Sequence, residues 1–287
     1  MPQKRSANRT NTLKPHTVDK LTGEGWRKVE LNDIVGRMVK GIKQIDDKID
    51  HGRKSPTKWG PYLGGIGSAY EIDIRDELIV YWNRKYSDST MIAEVSYPEK
   101  ELTGRCDLCL SETSDSIRES DIYDWGIELK SVANIGDNGG VNNFGIGKVV
   151  SPYKAEKSSV HDCDKLRKSN ISKKKAVVMF GFEFDSESVE YCRIWEEENQ
   201  NLIPEHQIPP NVDAKGKPYK FRWERMKQVL ETNTYENSWE WGAIVPIFEG
   251  SCKAMGIELQ NHVNIPFSGL TRHPVYRKIR FLGWEVK

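Results

Sequence analysis

Residues 104–130 read GRCDLCLSETSDSIRESDIYDWGIELK and contain two strand-like segments joined by a polar connection. Successive side chains of a strand point to opposite faces, so Asp107 lies on the polar face of the first segment, and Glu128 and Lys130 share the polar face of the second. Residues 111–124 are rich in Ser, Asp and Glu, which favours a solvated hairpin connection. The pattern therefore predicts a hairpin that brings Asp107 beside Glu128.

These three polar residues suit a divalent metal and a phosphodiester. Magnesium is a hard cation that keeps several waters, so the carboxylates of Asp107 and Glu128 plus a phosphate oxygen make a suitable coordination shell. Lys130 can contact the phosphate or the attacking water and offset negative charge. The residues favour metal-dependent hydrolysis of a phosphodiester bond. A plain strand with solvated charges is the alternative, because the tripeptide Glu-x-Lys also occurs on ordinary charged surfaces.

Asp107 followed by Glu128-Leu129-Lys130 resembles the D…ExK signature of the PD-(D/E)xK nuclease superfamily, and the resemblance covers roughly residues 67–185. Cys106 stands where the family name has proline. The resemblance implies an α/β fold with a restriction-endonuclease-like core, in which helices flank a mixed central sheet, together with additional peripheral elements. It also implies Mg²⁺-dependent cleavage of double-stranded DNA, with metal ligands at Asp107 and Glu128 and a catalytic Lys130.

The elements around the signature are predicted in the order helix, three strands, helix, strand, which is the core order of that fold. Apolar residues at helical spacing predict a helix over 68–85, and alternation predicts a strand over 91–97 before the two strands of the hairpin. A short charged segment, 161–169, is predicted as a helix. The nearly unbroken apolar run 174–184 is typical of a strand covered on both faces.

Glu71 has two interpretations. In the family the first helix often contributes an acidic residue to the metal site, and Glu71 lies on the same side of the predicted helix as Ile74 and Leu78. Alternatively, Ser68 and Glu71 form a capping box that satisfies free amides at the helix start. Glu94, on the first strand, is a weaker candidate and is expected to be a surface carboxylate.

The segment 133–150 is rich in Gly and Asn and has few apolar residues, so it cannot build a core of its own. It is either an ordinary surface loop or a loop that moves over the substrate. In the second case Asn142 and Asn143 would contact bases or phosphates, and Lys148 and Lys154 would contact phosphates.

The N-terminal region is basic although the chain as a whole carries a net charge of +1. Residues 1–58 contain 14 Lys and Arg against 7 Asp and Glu, a local charge of +7, which favours a polyanionic partner. We predict a flexible basic arm over 1–22 and a single nuclease domain over 23–287. Apolar residues repeat at helical spacing over 31–49 and predict a core helix.

The C-terminal third is interpreted as an addition for recognition or dimerisation. Basic and aromatic residues alternate over 219–230, where Arg222 could contact phosphates, although such spacing favours an amphipathic helix packed on the core. The run WGAIVPIF, 241–248, is predicted as an edge or bulged strand because of Pro246. The basic segment 272–287 is predicted as a final strand.

The composition argues against several classes of protein. Five cysteines at irregular spacing argue against a disulfide framework, and the six scattered histidines form no Ser-His-Asp arrangement. The chain has no apolar stretch typical of a signal peptide or a membrane span, so we expect a cytoplasmic protein without a membrane partner.

Among nucleases, the sequence favours a type II restriction endonuclease. The chain lacks helicase and nucleotide-binding motifs, and its large additions to the core suit sequence recognition. A palindromic target would be matched by a homodimer with one active site on each strand. Two alternatives stay open: a repair, recombination or phage-defence nuclease that is structure-guided or nonspecific, and a non-catalytic DNA-binding protein that retains the fold.

Overall fold

The computed structural model describes residues 29–49, 64–112, 122–132, 135–136, 138–140, 149–153, 158–183, 185–203, 205, 208–212, 216, 218, 220–232 and 241–287. The predicted basic arm therefore lies outside the described residues. So do the four predicted loop contacts, Asn142, Asn143, Lys148 and Lys154.

The described residues form an α/β fold with six α-helices around one mixed, six-stranded sheet. The helices are α1 (Leu31–Lys48), α2 (Glu71–Lys85), α3 (Ser159–Lys168), α4 (Ser186–Glu198), α5 (Arg222–Thr232) and α6 (Trp241–Ala254). The strands are β1 (Thr90–Ser96), β2 (Arg105–Ser111), β3 (Tyr123–Val132), β4 (Ser172–Glu183), β5 (Leu259–Ser268) and β6 (Lys278–Val286). Their order in the sheet is β1-β2-β3-β4-β6-β5.

The centre of the sheet is its parallel pair. β3 runs parallel to β4, whereas the pairs β1–β2, β2–β3, β4–β6 and β5–β6 are antiparallel. Parallel neighbours need a long crossover connection, and here that connection contains α3. The predicted order of helix, three strands, helix and strand is confirmed, and α3 packs on both strands of the parallel pair.

Apolar side chains cover both faces of the sheet. Ile127 and Leu129 of β3 belong to the cluster beneath α1 and α2, whereas Val132 belongs to the cluster beneath α3 and α6. Because strand side chains alternate, Glu128 and Lys130 project toward the α3 side. The sheet thus presents both polar residues of the Glu-x-Lys tripeptide to the crossover helix.

The predicted helix over 31–49 is confirmed as a core element. α1 packs on β5 and β6, and it lies so close to the sheet that an added Cβ at Gly283 would be 3.0 Å from Val35 Cγ2. The final predicted strand is also present as β6.

The prediction of a strand over 241–248 is wrong, because these residues begin α6. Ile244, Phe248 and Cys252 recur every four residues and are buried, which is the period of a helix face. A short apolar run does not distinguish a strand from a buried helix. Pro246 lies in the second turn, where it removes one backbone donor without ending the helix.

Across the part of the chain that is described, no helix is both long enough and apolar enough to cross a membrane.

Candidate active site

The β2–β3 hairpin brings Asp107 and Glu128 together. Leu108 pairs with Ile127 across the two strands, so the neighbouring positions meet on the polar face. The backbone N–H of Leu129 donates a hydrogen bond to Asp107 Oδ2 at 2.9 Å. The same register places Asp107 opposite Glu128, and the charge of Asp107 contributes to raising the pKa of Glu128. Register and side-chain alternation thus produce a pair of carboxyl groups at this position.

Glu128 is a buried carboxyl group, with 3% of its surface exposed. The phenol of Tyr97 donates a hydrogen bond to Glu128 Oε1, and burial raises the pKa of Tyr97, so the phenol keeps its proton. Burial also raises the pKa of Glu128 well above its usual range, and the nearby Cys106, Asp107 and Asp162 add to the rise. Such a carboxyl group holds a proton unless a cation balances its charge.

Lys130 lies between carboxylates from two helices. Its Nζ is 3.7 Å from Glu71 Oε1, on α2, and 3.4 Å from Asp162 Oδ2, on α3. Burial lowers the pKa of Lys130, but the carboxylates of Glu71 and Asp162 outweigh this effect and leave the pKa raised. The side chain is 22% exposed. Lys130 is therefore a charged ammonium group that can still reach a bound molecule.

Glu71 lies in this cluster, and of the two interpretations left open by the sequence, the capping box of Ser68 with Glu71 is the one that the structure contradicts. α2 begins at Glu71 itself, while Ser68 lies in a preceding 3-10 turn, Ile66–Ser68. At the helix start the backbone N–H of Tyr70 instead donates to Asp73 Oδ2 at 3.3 Å. The carboxylate of Glu71 is left to accept a hydrogen bond from the backbone N–H of Ser131.

Burial raises the pKa of Glu71, and the nearby ammonium of Lys130 offsets part of this rise. Glu71 thus connects the start of α2 to the end of β3 through two contacts, one with Lys130 and one with the backbone of Ser131.

Asp162 is a site residue that the sequence reasoning missed. It lies in the first turn of α3, is 4% exposed, and has its Oδ1 2.9 Å from Lys165 Nζ. The sequence does contain a signal, since Asp162 and Lys165 are spaced by three residues on a predicted helix. That spacing places both on one helix face without indicating which part of the sheet the face meets.

Glu94 and Arg75 border the site. Glu94 carries a φ of +56°, a left-handed conformation that is uncommon for glutamate, and forms an ion pair with the guanidinium of Arg75. Arg75 is 7% exposed as a side chain, and its Nη1 is 4.0 Å from Asp107 Oδ1. Glu94 is a partly exposed carboxylate whose partner, Arg75, also approaches the site.

Arg222 is held by a buried carboxylate. Its Nη1 is 2.8 Å from Glu196 Oε1, and its backbone N–H donates to Glu196 Oε2 at 2.8 Å. Glu196 is 2% exposed, and Met226 and Val229 are buried on the same helix as Arg222. The amphipathic core helix favoured for this segment is therefore confirmed as α5, and the pairing with Glu196 gives Arg222 a structural role.

We expect Arg222→Ala to lower the free energy of unfolding by about 3 kcal/mol, because it leaves the buried Glu196 without its ionic partner. Lys227→Ala on the same helix is the matched control. Lys227 is 60% exposed and lies 3.8 Å from Glu231, so its loss should cost no more than about 0.5 kcal/mol. Urea denaturation measures the free energy of unfolding of both variants, and equal losses would contradict the structural role of Arg222.

The site as a whole is a cluster of charges at the β2–β3 hairpin, built from two strands and two helices. Comparisons with protein-family models, curated proteins and solved structures gave no match to this chain. What the site does must therefore be inferred from its own geometry and chemistry.

Proposed function

We propose that this chain is a magnesium-dependent endonuclease that hydrolyses phosphodiester bonds of double-stranded DNA and has a restriction-endonuclease-like core. The observation that carries the proposal is the placement of Asp107, Glu128 and Lys130. The register places the two carboxyl groups opposite each other on adjacent strands, and an ammonium group lies two residues further along the second strand. Carboxylates for a metal and a cation for phosphate are the groups that phosphodiester hydrolysis needs.

The charge of the cluster fits a divalent cation. Four carboxylates, those of Glu71, Asp107, Glu128 and Asp162, surround the two ammonium groups of Lys130 and Lys165. If all six were charged, these groups together would carry two excess negative charges, which one Mg²⁺ would balance. The nearby guanidinium of Arg75 is itself paired with the carboxylates of Asp76 and Glu94. The raised pKa of Glu128 has the same origin, because burial beside other carboxylates penalises its charge.

The donor set also fits magnesium. Within the described residues, no group of three or more His, Cys, Asp or Glu side chains could hold a metal ion by itself. Magnesium is usually bound by one or two carboxylates together with waters and substrate phosphates, so Asp107 and Glu128 are sufficient. When bound, the ion would polarise the phosphoryl group and lower the pKa of a bound water.

The chain's own residues supply orientation and charge. Tyr97 fixes one oxygen of Glu128, and the backbone N–H of Leu129 fixes one oxygen of Asp107. Both carboxyl groups are therefore oriented before a substrate binds. Lys130 offers an ammonium group to the scissile phosphate or to the attacking water, where it stabilises the negative charge that develops in the transition state.

A type II restriction endonuclease is the subtype we propose. The additions to this core, α1 and the segment from α4 to β6, supply surface for sequence recognition. A homodimer would place one such site on each strand of a palindromic target.

Incubation of the purified protein with mixed-sequence double-stranded DNA and Mg²⁺ tests the proposal. We expect discrete fragments, no cleavage in EDTA, and DNA binding with poor cleavage in Ca²⁺, whose looser coordination fits the reaction geometry less well. A smear would indicate a structure-guided or nonspecific nuclease. DNA binding without cleavage under any metal condition would contradict the enzymatic proposal and indicate a non-catalytic DNA-binding protein.

A further inference from the structure

Asp162 is a buried carboxylate that the proposed chemistry does not use directly. α3 begins with Ser158 as its N-cap, whose hydroxyl accepts a hydrogen bond from the backbone N–H of His161 at 3.3 Å. Val160 and Cys163, on either side of Asp162, are buried in the cluster beneath α3 and α6. The cap and this packing fix the first turn of the helix. The carboxylate of Asp162 is consequently held in place over β3.

The two oxygens of Asp162 have different surroundings. Oδ1 is 2.9 Å from Lys165 Nζ, one helical turn further along α3. Oδ2 is buried, makes no hydrogen bond to any residue that the structure describes, and lies 3.4 Å from Lys130 Nζ. A buried oxygen without a hydrogen bond costs free energy, and such exceptions in folded proteins call for an explanation. Lys130 explains this exception, because its ammonium group is a cation that faces Asp162 Oδ2.

Lys130 needs such a partner if its ammonium group is to stay in one place. A lysine side chain is a flexible four-carbon stem with a point charge at its end, and it has many rotamers. Glu71, on α2, holds the ammonium from one side at 3.7 Å, and Asp162, on α3, holds it from the other at 3.4 Å. Lys165 at the same time compensates the charge of Asp162, so this contact adds little net negative charge at the position of a phosphate.

We propose that Asp162 is a positioning residue for Lys130, with Lys165 as its counter-charge. It fixes the ammonium group beside the carboxyl pair of Asp107 and Glu128. The role of Asp162 in cleavage rests on the proposed nuclease function, whereas its hold on Lys130 does not.

The hold on Lys130 is tested without any enzyme assay. Denaturation midpoints are measured for D162N, K130M and the double variant. If Asp162 and Lys130 act on each other, the midpoint shift of the double variant is smaller than the sum of the single shifts.

The matched control is Asp164→Asn, on the same helix. Asp164 pairs with Arg167 at 2.7 Å and with Lys168 at 2.5 Å, away from Lys130. The midpoint shifts of D164N and K130M should add in the double variant. If the midpoint shifts of D162N and K130M also add in their double variant, the proposal is wrong. Should D162N alone fail to fold, the double variant D162N/K165M replaces it, because removing Asp162 together with its counter-charge Lys165 leaves the net charge unchanged and Lys130 still pairs with Glu71.

The role in catalysis is tested by steady-state cleavage with Mg²⁺. We expect D162N to lower kcat by about 30-fold with KM nearly unchanged, because a misplaced catalytic group loses on the order of 10² in rate. In the K130M background D162N should have almost no further effect, and Asp162→Glu, which keeps the charge, should recover part of kcat.

If Asp162 had only a general structural role, D162N would instead lower the fraction of active protein. It would then also reduce the residual activity of K130M. A kcat for D162N equal to that of D164N would overturn the positioning role. If the wild-type protein cleaves no DNA, the nuclease proposal fails by itself. The denaturation cycle then still decides whether Asp162 holds Lys130.

Discussion

Replacing Lys130 by methionine should lower kcat for DNA cleavage by about 10³-fold, which corresponds to about 4 kcal/mol of transition-state stabilisation. Methionine keeps much of the stem but removes the ammonium group that faces the proposed phosphate position. The fold should persist, because Asp162 keeps its contact with Lys165 and Glu71 keeps its hydrogen bond from Ser131. DNA affinity, measured in Ca²⁺, should change by less than about tenfold.

Lys173→Met is the matched control for this prediction. Lys173 lies at the start of β4, its side chain is 67% exposed, and its ammonium pairs with Asp124 at 2.8 Å. The variant removes the same charge from the same sheet without touching the carboxyl pair, so it should retain full activity. Full activity in Lys130→Met would contradict the site assignment. Equal losses in both variants would indicate a general effect of charge on DNA binding.

The largest effect on stability is expected from Asp46→Ala. Asp46 is at the end of α1, is 1% exposed, and accepts three backbone hydrogen bonds. Its Oδ1 bonds the N–H of Ile66 at 3.0 Å, and its Oδ2 bonds the N–H groups of Thr271 and Arg272 at 3.0 and 3.4 Å. Alanine leaves these donors without their acceptor, so the free energy of unfolding should fall by about 4 kcal/mol in urea denaturation.

Asp47→Ala provides the comparison, because it changes the adjacent residue in the same helix. The side chain of Asp47 is 53% exposed and lies 3.9 Å from Lys43, so its loss should cost no more than about 0.5 kcal/mol. Similar losses in the two variants would show that the three backbone contacts of Asp46 are unimportant.

Asp46 also supports the candidate site from a distance. Gly65 has a φ of +91°, and an added Cβ there would lie 2.6 Å from Asp46 Oδ1, so the chain passes this carboxylate as closely as glycine permits. The same segment leads directly into Glu71 at the start of α2. Asp46→Ala should therefore lower cleavage as well as stability.

The sequence predicts the juxtaposition of Asp107, Glu128 and Lys130 because it follows from local rules. Alternation along a strand sets the face of each side chain, and a hairpin makes the two strands neighbours. The sequence alone does not decide the role of Glu71, because a shift of the helix start by two or three residues determines whether its carboxylate caps the helix or faces β3. The structure resolves this choice in favour of β3.

Features that depend on tertiary packing could not be predicted in this way. The contact of Asp162 with Lys130 depends on where the crossover helix lies over the sheet. The partner of Arg222 is Glu196, 26 residues away on another helix. In α6, the short apolar run around Pro246 is compatible with a strand or with a buried helix, and its packing against the sheet decides between them.

The single parallel pair among the described strands has a consequence for synthesis. Glu71, Asp107, Glu128 and Lys130 all precede residue 133, so the ribosome releases them before α3 and β4. Domains begin to fold from the N-terminus as they emerge, and the β1–β3 meander can pair before its parallel neighbour exists. Until β4 is made, β3 is an apolar strand with one edge unpaired, and such an edge is a recognised site of aggregation. A nascent chain that stalls within the crossover would thus carry most of the candidate site on a fragment prone to aggregate.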